Sequence, residues 1–396
     1  MCKIKGARSG PLCFSLICTF RAFHPGHWPI FLTACRDSIP HTIMNNYCTP
    51  TTPRQRKAVA LISGGLDSML AARLILDQGI HVEGLNYYTG FCVEGHTHAI
   101  RARAKPKRNN ALWVAEQLGI KLHIIDVIEE YKNIVINPRH GYGANLNPCL
   151  DCKGFMVGKA RQWMEANQFD FIITGEVVGQ RPKSQRKAAM PVVARESGAF
   201  DRLLRPLSAQ ILPPTHPEQE GWVDRGKLGA ITGRGRSDQM QLARRFNITD
   251  YAQPAGGCCF LTDVHYSNKL RDLWRARGQR NYELDDIMLL KIGRHIRPDH
   301  HFKLIVSRDE GETNFLMGYR NNFTHLVVQE YTGPITLIDG TACAEDLETA
   351  ARVTARYSRG KNQDRVTVKV IEPAGRVYLL AVTPFGSDEI PEAWYL

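Results

Sequence analysis

No run of about 18 apolar residues occurs in the chain, so a bilayer-spanning helix is not expected. There is also no internal repeat and no long low-complexity tract, and the 43% apolar content marks a globular protein. The 11 cysteines lack the even count and regular spacing of a small disulfide framework, falling at 2, 13, 18, 35, 48, 92, 149, 152, 258, 259 and 343. An odd number with two tight pairs in a long chain points to a reducing cytoplasmic setting and to metal or redox cysteines. Acidic residues are scarce at the start: residues 1–56 hold seven Lys/Arg and one Asp, which is half of the net charge of +12. The remaining body is moderately basic, which suits a polyanion such as RNA as well as a solvated basic surface.

The 396 residues suffice for two or three domains. "KIKGARSGPLCFSLICTF" has a basic start, but its apolar core of about ten residues is interrupted by Ser and Thr and lacks a convincing cleavage site, so export is not expected. Residues 1–56 are read as a disordered lead-in. From Lys57 the pattern alternates, with strand-like "AVALIS", "HVEGLNYY", "KLHIIDV" and "FDFIIT" separated by helix-like "DSMLAARLILDQG", "NNALWVAEQLG" and "KGFMVGKARQWMEANQ". Parallel neighbours need crossovers, so this alternation predicts an α/β fold with a doubly wound parallel sheet over residues 57–265. From residue 266 short strands and two helices predict a small α+β C-terminal unit, 266–396. Ligands of parallel sheets bind beyond the carboxyl ends of the strands. The unusual segments "SGGLDS", "NYYTGFCVEGHTH" and "TGEVVGQRPKSQRK" all follow predicted strands.

In "SGGLDS", Gly64 and Gly65 let backbone N–H groups approach phosphate oxygens at the positive end of a helix, and Ser63 and Ser68 add hydroxyls. Asp67 is a candidate magnesium ligand or a plain helix N-cap. The loop lacks the Lys-Ser/Thr of a Walker A sequence. "AVALISGGLDSML" as a whole resembles the pyrophosphate-binding loop of the PP-loop ATP pyrophosphatase superfamily (adenine nucleotide alpha hydrolase-like), whose members cleave ATP to AMP and pyrophosphate and adenylate their substrate. That resemblance implies ATP and Mg2+ as ligands, with Ser63, Gly64, Gly65, Asp67 and Ser68 on the pyrophosphate.

"NPCLDCK" sets Cys149 and Cys152 at the C-x2-C spacing that lets two thiolates share one metal or cluster, and "PAGGCCFLTD" sets Cys258 and Cys259 after two glycines. Three readings stay open on the residues: an iron–sulfur cluster with three thiolates, persulfide or disulfide chemistry without a cluster, and zinc. "TGEVVGQRPKSQ", "LLRPLSA" and "NITDYAQPAGGCC" are similar in order and spacing to segments of tRNA 4-thiouridine synthases, while "NPCLDC" resembles tRNA 2-thiouridylases. The resemblance spans residues 57–265 and implies an ATP-dependent tRNA sulfurtransferase that adenylates a uridine carbonyl and replaces its oxygen by sulfur, 4-thiouridine being favoured. It implies that Gly175, Glu176 and Gln180 line the nucleotide, that Arg181, Lys183 and Arg186 meet phosphates, and that Cys149, Cys152 and Cys258 or Cys259 carry sulfur, with a 4Fe-4S cluster and either sulfide or a cysteine desulfurase persulfide as donor.

The 4-thiouridine synthases carry an N-terminal RNA-binding domain for which no room is expected ahead of the loop, so RNA contacts are expected elsewhere. "KLIVSRDEGETNFL" with "ARYSRGKNQDRVTVKV" resembles the NFACT-type RNA-binding domain, which makes Arg294, Arg297, Arg308, Arg356, Arg359 and Lys361 candidate phosphate contacts. "RARAKPKR", with Arg101 and Arg103, is read as a tRNA guide or a solvated loop. His96 and His98 after Cys92 carry only weak metal-ligand spacing. Other PP-loop ligases and an idle RNA-binding fold are the alternatives; the sequence leaves the oligomeric state open.

Overall fold

The computed structural model describes residues 54–92, 108–252 and 259–396. Strands β1 (Lys57–Leu61), β2 (His81–Tyr88), β3 (Leu122–Asp126), β4 (Phe171–Thr174) and β5 (Leu203–Leu204) form one sheet in the order β3-β2-β1-β4-β5. Every neighbouring pair is parallel. Around them lie α1 (Leu66–Leu76), α2 (Asn110–Leu118), α3 (Ile128–Ile136), α4 (Cys149–Ala166), α5 (Ala189–Glu196) and α6 (Ser237–Arg245).

A parallel sheet covered on both faces needs strands that are apolar at successive positions. In β1, Ala58 and Ala60 join a core with Leu70 and Ile75 of α1 and Val114 of α2, while Val59 joins the opposite core with Val157 and Met164 of α4. In β4, Phe171 and Ile173 take the first face and Ile172 the second. The chain builds outward from β1 to β3, then returns to place β4 on the other side of β1. The order therefore reverses between β1 and β4, which opens a crevice at their carboxyl ends.

A second sheet is antiparallel, in the order β11-β10-β8-β9-β7-β6. Its strands are β6 (Arg294–Asp299), β7 (Phe302–Val306), β8 (Thr324–Val328), β9 (Ile335–Gly340), β10 (Val366–Ile371) and β11 (Val377–Val382). Val366, Val368 and Val370 alternate inward on β10 and pack with Ala350, Ala351 and Val353 of a helix, Ala344–Arg356. The expected α+β unit is thus present.

Between the sheets lie α7 (Val264–Arg277) and α8 (Leu284–Leu289). Their Tyr266, Leu270, Leu273 and Ile287 share the core of Val59, Leu85 and Ile172. Residues 264–290 therefore pack with the parallel sheet, although their change of texture reads as the opening of the C-terminal unit. The junction is further tied by Arg297, whose guanidinium meets Asp272 of α7 at 2.6 and 2.7 Å. No helix among the described residues is long and apolar enough to cross a membrane.

Candidate functional site

β1 delivers the chain into Ser63–Gly65 at the crevice. Gly64 sits at φ 80°, a left-handed conformation that glycine adopts without a Cβ penalty, and it turns the backbone into α1. No side chain caps α1 at Gly65, whereas Asn109 caps α2 by accepting from Ala111 N and Leu112 N. The helix end above the crevice thus keeps its N–H groups for an anion. Ser68 Oγ donates to Gly65 O at 2.8 Å and accepts from Ser63 N at 3.3 Å, which fixes the loop from within.

Asp67 does not act as the cap. Its Oδ2 accepts from Gln180 Nε2 at 2.8 Å, and its Oδ1 is buried without a hydrogen-bond partner. Across from it stands Arg236 at the N-terminus of α6, Nη2 to Oδ1 3.9 Å, with a buried Nε that also lacks a partner. Gln239, three residues further along α6, is fully buried with both amide atoms unpaired. Buried polar atoms without partners mark a place where a ligand, ion or water completes the network. An orphaned carboxylate oxygen beside an uncapped helix end fits a magnesium ion on a polyphosphate. Arg236 and Gln239 carry no motif in the sequence; "GRGRSDQ" offers only a basic run before a helix.

Gly175 supports the loop by closeness: a Cβ there would lie 2.4 Å from Ser68 N and 2.5 Å from Asp67 C. Glu176 lies beneath the crevice, where Oε2 accepts from Arg205 Nε at 3.1 Å and Thr174 Oγ1 at 3.2 Å. Burial pushes its carboxyl up, but the Arg205 guanidinium, helped by Lys153 and the Thr174 hydroxyl, outweighs burial and holds it below the usual range. "TGE" and "LLRPL" are thus two halves of one buried ion pair. Arg181, Lys183 and Arg186 are exposed on the loop after β4, and the Lys183 stem lies over the Gly143 turn, where a Gly143 Cβ would meet it at 3.6 Å.

That loop also reaches the cysteines. Ser184, fully buried and four residues after Gln180, accepts from Cys149 Sγ at 3.2 Å. Cys149 and Cys152 occupy the first turn of α4. Residues 145–147 just before them bind the segment after Cys259: Leu146 N donates to Leu261 O at 3.2 Å, Asn145 Nδ2 to Thr262 O at 2.8 Å, and Cys259 Sγ lies 3.9 Å from Asn147 Oδ1. The two cysteine segments, distant in sequence, therefore meet. Among the described residues, the close group of potential metal ligands is Asp299, His300 and His301 and includes no cysteine, so what is established for the cysteines is that their segments meet. Cys258, Arg101, Arg103, His96 and His98 lie outside the described residues.

Lys291, from the junction, donates from Nζ to Gly90 O at 2.6 Å, and burial pushes its ammonium down to about 8. Arg108, last of the basic run, pairs with both oxygens of Asp250 and covers the Trp113 ring at 3.6 Å. It is a clasp between α2 and the segment after α6.

Two family models match the chain: tRNA methyl transferase HUP domain over residues 56–196, and NFACT protein RNA binding domain over residues 293–395. A tRNA-specific 2-thiouridylase from a Synechococcus strain is 33% identical over 282 residues, covering 66% of this chain and 67% of the relative. The chain belongs to the PP-loop tRNA thiouridylase family. A second thiouridylase, from Syntrophus aciditrophicus, is 27% identical over 51% of this chain and 56% of its own length. The chain thus spans little more than half the length of the first curated relatives it matches. A crystal structure of a 4-thiouridine synthetase in complex with RNA and ATP aligns at 18% identity over 49% of this chain and 52% of that chain, with a TM-score of 0.30.

Proposed function

We propose that this thiouridylase-family protein is an ATP-dependent tRNA sulfurtransferase acting in the cytoplasm. The observation that carries the reading is the loop after β4, where Gln180 holds Asp67 and Ser184 holds Cys149 only four residues apart. Activation and sulfur delivery then share one wall. ATP is a substrate whose pyrophosphate portion takes the uncapped N–H groups of Gly65 and α1, with Asp67 on magnesium. The uridine carbonyl oxygen attacks the α-phosphorus, the bond to pyrophosphate breaks, and the oxygen becomes part of an AMP leaving group. Sulfur then attacks the same carbon and AMP departs with the oxygen. Cys149 and Cys152 present sulfur at a helix N-terminus, whose N–H groups favour negative charge. A 4Fe-4S cluster on Cys149, Cys152 and Cys258 or Cys259 would supply a position for an extra sulfide.

The tRNA is proposed to lie on the exposed Arg181, Lys183 and Arg186 and on the C-terminal unit, with the parallel-sheet portion through residue 292 as the catalytic part and residues 293–396 as the RNA-holding part. The curated relatives favour 2-thiouridine, whereas the "TGE", "GQ" and "RPL" segments favour 4-thiouridine. Mass spectrometry of tRNA nucleosides from a deletion strain, complemented with the chain or with Asp67→Ala or Cys149→Ala, decides. The expected result is one thiouridine restored by the chain and by neither variant. Restoration by both variants sinks the reading. Iron and sulfide analysis after anaerobic purification tests the cluster separately.

A further inference from the structure

β6 and β7 are joined by a hairpin whose turn is His300–His301, with Asp299 paired to Phe302 at its base. Such turns favour Asn, Asp and Gly, so nothing in the hairpin itself calls for two imidazoles. The turn backbone is held at both carbonyls: His300 O accepts from Arg297 Nη1 at 3.1 Å and His301 O from Thr341 N at 3.2 Å. Asp299 Oδ1 lies against His300 Nδ1 and 3.3 Å from His301 Nδ1, so one carboxylate oxygen faces two ring nitrogens. The far nitrogen of His301, Nε2, is 2.8 Å from Asp346 Oδ2. A carboxylate only accepts, so Nε2 donates there, and a neutral imidazole then turns a lone pair from Nδ1 towards Asp299. Two acceptors in contact repel unless a cation or a proton lies between them. Neighbouring basic side chains do not supply it: Arg277 pairs with Asp286, Arg297 with Asp272 and Lys303 with Asp339.

We propose that Asp299, His300 and His301 form a site for a divalent transition-metal ion of the zinc class, held by Asp299 Oδ1 and the two Nδ1 atoms. The three residues place their ligand atoms within 4.8 Å of one another. Zinc bonds of about 2.0–2.2 Å at tetrahedral angles put ligand atoms roughly 3.3–3.6 Å apart, a spacing that Asp299 and His301 already have. His300, exposed at the tip, reaches it by turning about its side-chain bonds. Imidazole nitrogens select zinc, copper or nickel, whereas magnesium and calcium prefer oxygen alone. Asp346 takes the place of the outer carboxylate that fixes a ligating imidazole. Its Oδ2 also accepts from Cys343 N at 2.8 Å, which ties the site to the start of the helix Ala344–Arg356. Three protein ligands leave a fourth position for water or an anion. The site lies in the C-terminal unit and is independent of the sulfurtransferase reading.

The test uses the full chain and zinc chloride alone, with diethyl pyrocarbonate labelling of histidines mapped by peptide mass spectrometry. Thiolates also bind zinc, so the readout is confined to named histidines. At zinc well above its dissociation constant, labelling of His300 and His301 is expected to slow about tenfold while the exposed His265 labels as before. Magnesium is expected to protect neither. Protection is expected to vanish in Asp299→Asn and, at His300, in His301→Ala. Thermal unfolding without zinc identifies any misfolded variant, and the contrast with His265 in the unaltered chain stands independently of both. Equal labelling with and without zinc overturns the proposal and leaves a proton between Asp299 and His301. Protection that survives in folded Asp299→Asn overturns it too, as does protection by magnesium.

Discussion

Arg236 faces Asp67 across 3.9 Å with a buried Nε that has no hydrogen-bond partner among the described residues, so its charge is held ready for an anion entering the crevice. A hydrogen bond to a charged group contributes about 1.5 kcal/mol or more, so Arg236→Ala is expected to raise the ATP dissociation constant about tenfold or more. Isothermal titration checks this, and an unchanged constant would show that Arg236 does not reach the nucleotide. Arg205 is different, since its partner Glu176 is buried and its charge balanced within the protein. Arg205→Met leaves that carboxylate uncompensated, and breaking a buried pair costs about 3–5 kcal/mol. Chemical denaturation measures the loss, and Glu176→Leu combined with Arg205→Met recovers much of it. Stability of Arg205→Met equal to the parent would refute this account.

At the scale of elements, β1 to β4 with α1, α2 and α4 were legible because apolar runs and glycine stops are local, whereas β5, α3 and α5 were not predicted. The glycine loop and the cysteine spacing were legible for the same reason. What was not legible depends on contacts between remote segments: Ser184 with Cys149, Glu176 with Arg205, Cys92 with Cys259, Arg236 with Asp67. Asp67 reads as a cap or a magnesium ligand, and only the direction of its side chain removes the cap. The start of the C-terminal unit was misleading because α7 is rich in basic residues, yet Tyr266, Leu270 and Leu273 bury themselves in the first core. A chain ending at residue 292 should therefore unfold cooperatively on heating, whereas one ending at 265 strips that core and should not. Equal behaviour of the two in calorimetry would contradict the packing.

For the whole molecule, the basic residues of the C-terminal unit divide into paired and exposed ones. In the C-terminal unit Arg297 is taken by Asp272 and Arg308 by Glu312, and Arg294 covers Tyr357, whereas Arg359 and Lys361 are exposed beside the part-exposed Arg356. Replacing Arg356, Arg359 and Lys361 by Ala should flatten the salt dependence of tRNA affinity by about one unit of logarithmic slope per lost phosphate contact. A filter-binding salt series reads it, and an unchanged slope places the RNA elsewhere. His295 supplies the pH response. Burial, with Lys269 and Lys303 nearby, holds its pKa well below the ordinary value, while Nε2 donates to Ile292 O at 2.9 Å and Nδ1 has no partner. The unfolded chain takes up a proton here near pH 6.5 and the folded one does not, so stability contributed by neutral His295 is complete above about pH 6.5 and declines as pH falls below it. Unfolding free energies at pH 7.5 and 5.5 should differ in that sense, and His295→Gln should reduce the difference.

Ala252 bridges Gly65 in the phosphate loop, and Cys259, seven residues on, bridges Cys92. Seven fully extended residues reach at most about 25 Å. On the proposed reaction the backbone is thus a measuring tape between the phosphate loop and Cys259, and a bound uridine would travel no farther than that covalent leash between activation and sulfur transfer.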